Sequence, residues 1–280
     1  MVSPNRKKHN TIKGVLLIAI FMMALFPFIF ISETEVLISD HKIENRTATK
    51  PTRVVEQPLH DVQLPNFITI KDIPTRKQQF FDFLKPAIDD ENKRLAKRRS
   101  KVVKIAEDLA ADKPLSRKQR NFLTKQAQKY KLKNTSSTEI IIKQLLLRID
   151  QIPRELVLVQ AANESAWGSS RFARIGLNFF GMWCFKKGCG LVPKGRDSGL
   201  NHEVAAFDSL EQMVNHYFHN INTNAAYDLF RTIRGQLRDN DVELLPNVLA
   251  TGLLPYSERG IDYIVEINTM LRHNHKYIKA

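Results

Sequence analysis

The chain has 280 residues, enough for one large domain or two smaller ones with real cores, and 43% hydrophobic residues exclude a disordered protein. Its net charge of +14 is unevenly spread. Residues 71–150 carry 21 Lys and Arg against 10 Asp and Glu, whereas residues 151–280 carry 14 against 13. A basic stretch suits a polyanion such as nucleic acid, anionic lipid or a carboxylate-rich wall polymer, without choosing among them.

The first element narrows that choice. Arg6, Lys7, Lys8 and Lys13 precede Val15 to Ile31, an uncharged run of 17 residues. A basic flank before such a run predicts export, with residues 1–32 acting as a signal peptide or as a signal-anchor that ties the chain to the inner membrane through residues 15–31. Both alternatives stand, and both lead out of the cytoplasm, which argues against nucleic acid as the partner. Residues 33–70, polar and interrupted by Pro51, Pro58 and Pro65, read as a linker.

Residues 71–149 read as a basic helical segment. Phe80, Phe81, Phe83 and Leu84, then Leu95, Val102, Ile105 and Leu109, recur near the helical period, and Ser116 is placed to cap a helix through Phe122 and Tyr130. Thr138 and Glu139 open another. A fourth helix is predicted from Pro153 through Leu156, Val159 and Ala162, ending near Gly168. Residues 183–207, with several glycines and two short apolar stretches, read as a small β-hairpin lobe. Asp208 to Glu211 forms a capping-box-like start for a helix through Met213 and Tyr217. Two more helices are expected around Tyr227–Leu237 and Gly260–Leu271. Cys184 and Cys189, the only cysteines, are most simply a disulfide in an exported protein. His216 and His219 stand at i, i+3 without a third ligand at a suggestive spacing, so neither a metal nor another cofactor is expected.

The chemistry concentrates at Glu164. In the last turn of its helix the negative end of the dipole disfavours ionisation, and Trp167 at i+3 would exclude water from the same face. Both effects raise a carboxyl pKa, as a general acid working near neutral pH requires.

Three stretches carry a family resemblance. Ala161-Ala162 followed by Glu164-Ser165-Ala166-Trp167-Gly168 resembles the Ala-x-x-x-Glu-Ser-x-Trp-Gly motif of the bacterial glucosaminidase family (glycoside hydrolase family 73), which includes flagellar and autolysin-type peptidoglycan hydrolases. Asn178-Phe179-Phe180-Gly181 is similar to its Asn-Leu-Phe-Gly. The run from Gly252 through Tyr256 and Ser257 to Gly260 and Tyr263 resembles its Gly-Tyr-Ala-Thr-Asp-Pro-x-Tyr-Ala, one residue longer between tyrosines.

The resemblance implies that residues 150–280 form a mainly α, lysozyme-like catalytic domain with a small β lobe. It implies cleavage of the β-1,4 bond after N-acetylglucosamine in peptidoglycan glycan strands. Glu164 would be the general acid, with Tyr263 facing it, and Trp167, Asn178, Phe180, Gly181, Tyr227 and Tyr256 would be on the substrate side. The family's second acid belongs on the first strand of the β lobe, but Gly190-Leu191-Val192-Pro193 holds none. Asp197 and Glu203 are the substitutes, Glu203 the favoured one, and the substrate's own 2-acetamido group is the alternative nucleophile. A lytic transglycosylase of the same fold and a non-catalytic wall-binding protein remain the rival readings.

Overall fold

In the computed structural model, residues 56–132, 137–196 and 199–279 are described. The export segment at residues 15–31 and the first part of the expected linker lie outside them. Among the described residues no helix is long and apolar enough to cross a membrane.

The first helix, α1 (Ile73–Ala110), starts where Asp72 accepts a hydrogen bond from the Thr75 amide at 2.8 Å. It runs through Pro86 and buries Phe80, Phe81, Leu84, Ile88, Leu95, Val102 and Ile105 along one stripe. Helix α2 (Arg117–Lys129) begins with a full capping box: the Gln119 amide donates to the Ser116 hydroxyl, and the Ser116 amide donates to the Gln119 side chain. Helix α3 (Thr138–Arg148) follows, capped by Ser137.

Helix α4 (Arg154–Glu164) has Pro153 as its N-cap and buries every residue from Leu156 to Ala162. A helix buried on all sides needs no amphipathic period, which is why this stretch reads as continuously apolar. It packs against α1, α8 (Pro246–Ala250) and α9 (Ile261–Lys279). Between α4 and the sheet lies a short helix, α5 (Arg171–Gly176). Helices α6 (Leu210–Thr223) and α7 (Asp228–Asp239) are joined by a 3-10 turn, Ala225–Tyr227, and a second 3-10 segment, Thr251–Tyr256, precedes α9. Ser209 caps α6 through a 3.1 Å bond from the Gln212 amide, so the expected cap at Asp208 is displaced by one residue.

The β lobe has three short strands rather than a simple hairpin. β1 (Trp183–Cys184) and β2 (Gly190–Leu191) both pair antiparallel with β3 (Glu203–Ala205), which is central. The register sets Cys184 opposite Glu203 and Gly190 opposite Ala205. Cys184 and Cys189 are joined in a disulfide.

The basic segment and the remainder are not separate bodies. Phe80, Phe81 and Leu84 of α1 belong to the same core as Leu156 of α4, Phe218 of α6 and Ile267 of α9. A buried charge cluster joins them as well. Asp150 accepts from Arg238 at 2.9 and 3.1 Å, with the Arg99 and Arg234 guanidiniums at 3.4 and 3.9 Å. Burial alone would raise the Asp150 carboxyl pKa, but Arg234, Arg238 and Arg99 outweigh it and hold the group below the ordinary aspartate range. Arg234, only 1% exposed, is pushed down to about 10 by its burial.

Residues 56–70 also depart from the expected free linker. They lie against α5 and the core: the Leu59 amide donates to Ile175 O at 2.8 Å, Glu56 pairs with Arg171 at 2.5 Å, and Phe67 is buried against Phe80 and Phe83. Prolines and polar residues suggested a spacer, and one buried aromatic fastens it down.

Candidate active site

Glu164 is the last residue of α4. The helix stops there, four residues before Gly168, because the chain turns sharply. Ser165 stitches the turn: its hydroxyl donates to Ala161 O at 2.6 Å and accepts from the Gly168 amide at 2.8 Å. Ala166 and Trp167 take left-handed φ values of 49° and 58°. Gly168 continues the turn at φ 75°, and a Cβ there would lie 2.5 Å from the Phe67 ring.

This turn sends Trp167 the other way. Its indole packs on Phe80 and Phe81 of α1, at centroid distances of 5.5 and 5.4 Å, beneath Lys77. The expectation that Trp167 shields the acid from its own helix face and meets substrate is therefore corrected: the left-handed residues break the i, i+3 geometry on which it rested.

The carboxyl of Glu164 is desolvated by other groups. The side chain is half-buried, and its Oε1 is buried without a hydrogen-bond partner. Burial raises the pKa above the ordinary glutamate range, and the nearby Tyr263 hydroxyl, Asn163 side chain and Arg259 charge only partly oppose it. Glu164 lines a cleft of about 340 Å³ whose walls include Gly181, Trp183, Phe185, Tyr227 and Tyr256.

Behind the acid stands a set of tyrosines held by one amide. Gln160, fully buried one turn before Glu164, donates from Nε2 to the Tyr263 hydroxyl at 2.8 Å and accepts the Tyr217 hydroxyl on Oε1. Tyr263 stacks on Tyr256 at 5.7 Å with rings 7° apart, and Tyr217 stacks on Phe180 at 4.0 Å. The Tyr256 hydroxyl closes the set on Phe180 O at 2.9 Å. Burial pushes the Tyr217, Tyr256 and Tyr263 phenols above the ordinary tyrosine range, so they stay neutral hydrogen-bonding groups. Gln160 was not singled out from sequence. Its signal is a lone amide within an apolar helical run, at i−4 from the acid.

The remaining expected residues divide. Gly181, at φ 63°, Tyr227, Phe180 and Tyr256 stand at the cleft with Glu164. Phe180 offers little surface there, being 2% exposed and stacked on Tyr217. Asn178 does not face substrate. Its amide donates to Met182 O and Ala205 O at 2.9 and 2.8 Å, and its oxygen accepts from the Phe180 and Met182 amides, which satisfies the whole side chain within the turn.

Glu203 is likewise engaged elsewhere. It is buried and takes the Gly188 and Gly190 amides at 3.0 and 2.9 Å, clasping the disulfide loop onto β3. The Gly188 amide is the main cause that holds this carboxyl below the ordinary range. Its role as the acid's partner is therefore corrected to a structural one. Asp197 lies outside the described residues. Among the described residues, Glu164 is the one carboxylate that lines the cleft. Trp183 and the 80%-exposed Phe185, on the β-lobe lip, were not expected there.

Residues 141–275 match the family model described as Glucosaminidase: Mannosyl-glycoprotein endo-beta-N-acetylglucosaminidase. Protein bax of Escherichia coli (strain K12) is 37% identical over 155 residues, which cover 55% of this chain and 55% of that protein. The match thus spans about half the length of the curated relative. No solved structure matches the chain.

Proposed function

We propose that this chain is a peptidoglycan hydrolase of the glucosaminidase family, a reading supported by the match of residues 141–275 to that family's model and by the 37% identity to protein bax over 155 residues. It cuts the β-1,4 bond after N-acetylglucosamine, in a lysozyme-like domain, with Glu164 as general acid. The observation that carries this reading is the state of Glu164: half-buried, raised in pKa and lining an aromatic-walled cleft.

A protonated Glu164 gives its proton to the glycosidic oxygen as the C1–O bond breaks. The cleft lining holds no second carboxylate among the described residues, and the clasped Glu203 is unsuited to the task. With Glu203 engaged and Asp197 outside the described residues, we take the carbonyl oxygen of the substrate's 2-acetamido group as the nucleophile: it attacks C1 and forms a cyclic oxazolinium, Asp197 being the alternative. Water then opens that ring at C1 and returns a proton to the Glu164 carboxylate, with net retention, a recognised exception to the two-carboxylate scheme. Tyr263, fixed by Gln160, positions the acid, while Tyr227, Tyr256, Trp183 and Phe185 offer flat faces to the sugars. The segment at residues 15–31 delivers the domain to the periplasm, as an inner-membrane anchor or a cleaved signal, and an oxidising compartment suits the Cys184–Cys189 bond.

The test is digestion of purified peptidoglycan by the full chain and by Glu164→Gln, followed by mass spectrometry of the ends. Reducing N-acetylglucosamine ends that vanish in the variant are expected. Anhydro-muramyl ends would make the protein a lytic transglycosylase instead. Wall binding without cleavage by either protein would make it a non-catalytic binder.

A further inference from the structure

Beside the cleft, and sharing the His216 wall with it, lies a second hollow of about 410 Å³. Lys129 of α2, Asn215, His216 and His219 of α6, and the Cys184–Cys189 bridge line it. The mechanism above uses none of these groups.

The surroundings of this hollow are one-sided in charge. Burial is the main cause that holds both imidazoles below the ordinary histidine range; Lys131 adds to it at both rings, and Lys129 and Arg94 at His219. The acid on this side, Glu91, is already committed, accepting from Arg94 Nε at 2.7 Å and from Asn215 Nδ2 at 3.2 Å. Among the described residues no ion pair engages Lys129 or Lys131. Two imidazoles and the Lys129 ammonium thus line a hollow that shares a wall with the sugar site, with Lys131 acting on both rings, while the two acids beside it, Glu91 and the Glu203 next to the bridge, are already taken up by hydrogen bonds.

We propose that this hollow receives a carboxylate of the short peptide that hangs from the muramyl sugar next to the cleaved bond. The inference rests on the reading of the cleft as a glycan site. It also gives the basic segment a task. Lys129, Lys131 and Arg94 come from α1, α2 and the turn after it, so the N-terminal helices supply charge at the edge of the cleft. A peptide-bearing sugar in the cleft places its substituent to one side of the glycan axis, and the hollow lies to one side of Glu164 across His216. An anion arriving there gains the Lys129 ammonium as a partner and favours proton uptake from solvent by the imidazoles, which turns them into further donors.

Binding to the full chain carrying Glu164→Gln, which does not turn ligand over, tests the proposal with two soluble probes. One is glycan oligomers with intact stem peptides; the other is the same oligomers stripped of peptide by an amidase, with the lactyl carboxylate this exposes blocked as its methyl amide. The intact probe should bind about fivefold tighter, on the scale of one or two partly screened charge pairs. That preference should disappear at about 0.5 M salt. Adding Lys129→Met, at an exposed position, should remove most of the preference and leave affinity for stripped glycan and the thermal melt unchanged. His219→Gln should act in the same direction.

Equal affinity for the two probes, or an equal loss on both in Lys129→Met, overturns the proposal. Hydrolysis of wall by the unmutated chain without any peptide preference leaves the hydrolase reading standing and removes this one. Peptide-dependent binding with no hydrolysis does the reverse. If neither probe binds, both fall.

Discussion

Replacement of Gln160 by leucine isolates the part of the site that holds the acid's surroundings in place. Leucine fills much the same volume, so no large cavity opens, and the loss is one of hydrogen bonds. Tyr217 is fully buried and donates to Gln160 Oε1, so its hydroxyl is left without an acceptor. An orphaned buried donor costs about 1–3 kcal/mol, and the second bond, from Gln160 Nε2 to Tyr263, adds about 0.5–1.5 kcal/mol. The expected destabilisation is therefore about 2–4 kcal/mol. For a domain of this size each kcal/mol moves the midpoint by about 2–4 °C, so thermal melts followed by circular dichroism should fall by roughly 4–16 °C. Tyr217→Phe supplies the control. Once that hydroxyl is gone the leucine leaves nothing to orphan, so the double variant should be less destabilised than the sum of the singles by more than about 0.5 kcal/mol. Wall hydrolysis by Gln160→Leu should fall mainly in kcat, since Tyr263 loses its place beside Glu164. Strict additivity, or a Gln160→Leu melt that overlays the unmutated protein, would refute the reasoning.

Other outcomes follow from the same geometry. Glu164→Gln should melt higher than the unmutated protein at neutral pH. A carboxyl with a raised folded pKa supports the native state fully below its unfolded value and loses that support as pH rises through the folded one. The two melts should converge below about pH 4, and hydrolysis by the unmutated chain should decline along the same alkaline limb. Asp150→Asn leaves Arg234 buried with its charge uncompensated and should cost about 3–5 kcal/mol in urea unfolding. The depressed pKa of Asp150 has the opposite sign to that of Glu164, so its contribution is present above the unfolded value and is lost as pH falls through the folded one. Reduction of Cys184–Cys189 should lower stability by about 2 kcal/mol, the chain-entropy value for so short a loop, and should loosen the Trp183 and Phe185 lip. Melts and glycan binding with and without dithiothreitol measure both effects.

What could be read from sequence was what side-chain type and spacing determine directly. Ser116 is a residue type that marks helix starts, and the helix starts there. The stripe from Phe80 to Ile105 announces a buried helix face, and the structure buries it. What could not be read depends on backbone conformation or on distant pairing. Ala166 and Trp167 carry no composition signal for left-handed φ, so the end of α4 was set four residues late and the indole was assigned to the wrong side. An acid on a β-lobe strand looks catalytic until the register places it against the Gly188 and Gly190 amides. Asn178 was placed on the substrate side, and its lack of any free polar atom emerges only when β3 is in position. The linker reading failed at Phe67, where one aromatic outweighs the surrounding prolines.

The turn after Glu164 has a bearing on engineering. Two consecutive side-chain-bearing residues in left-handed backbone, Ala166 and Trp167, store about 1–2 kcal/mol each. A laboratory selection for heat resistance would find Ala166→Gly as an inexpensive gain, because glycine adopts that conformation without the steric penalty. The same exchange would soften the joint that aims the last residue of α4. Thermal hardening at this position and accuracy of proton delivery therefore pull in opposite directions, and a variant library screened for both should show the trade at residue 166 before anywhere else in the turn.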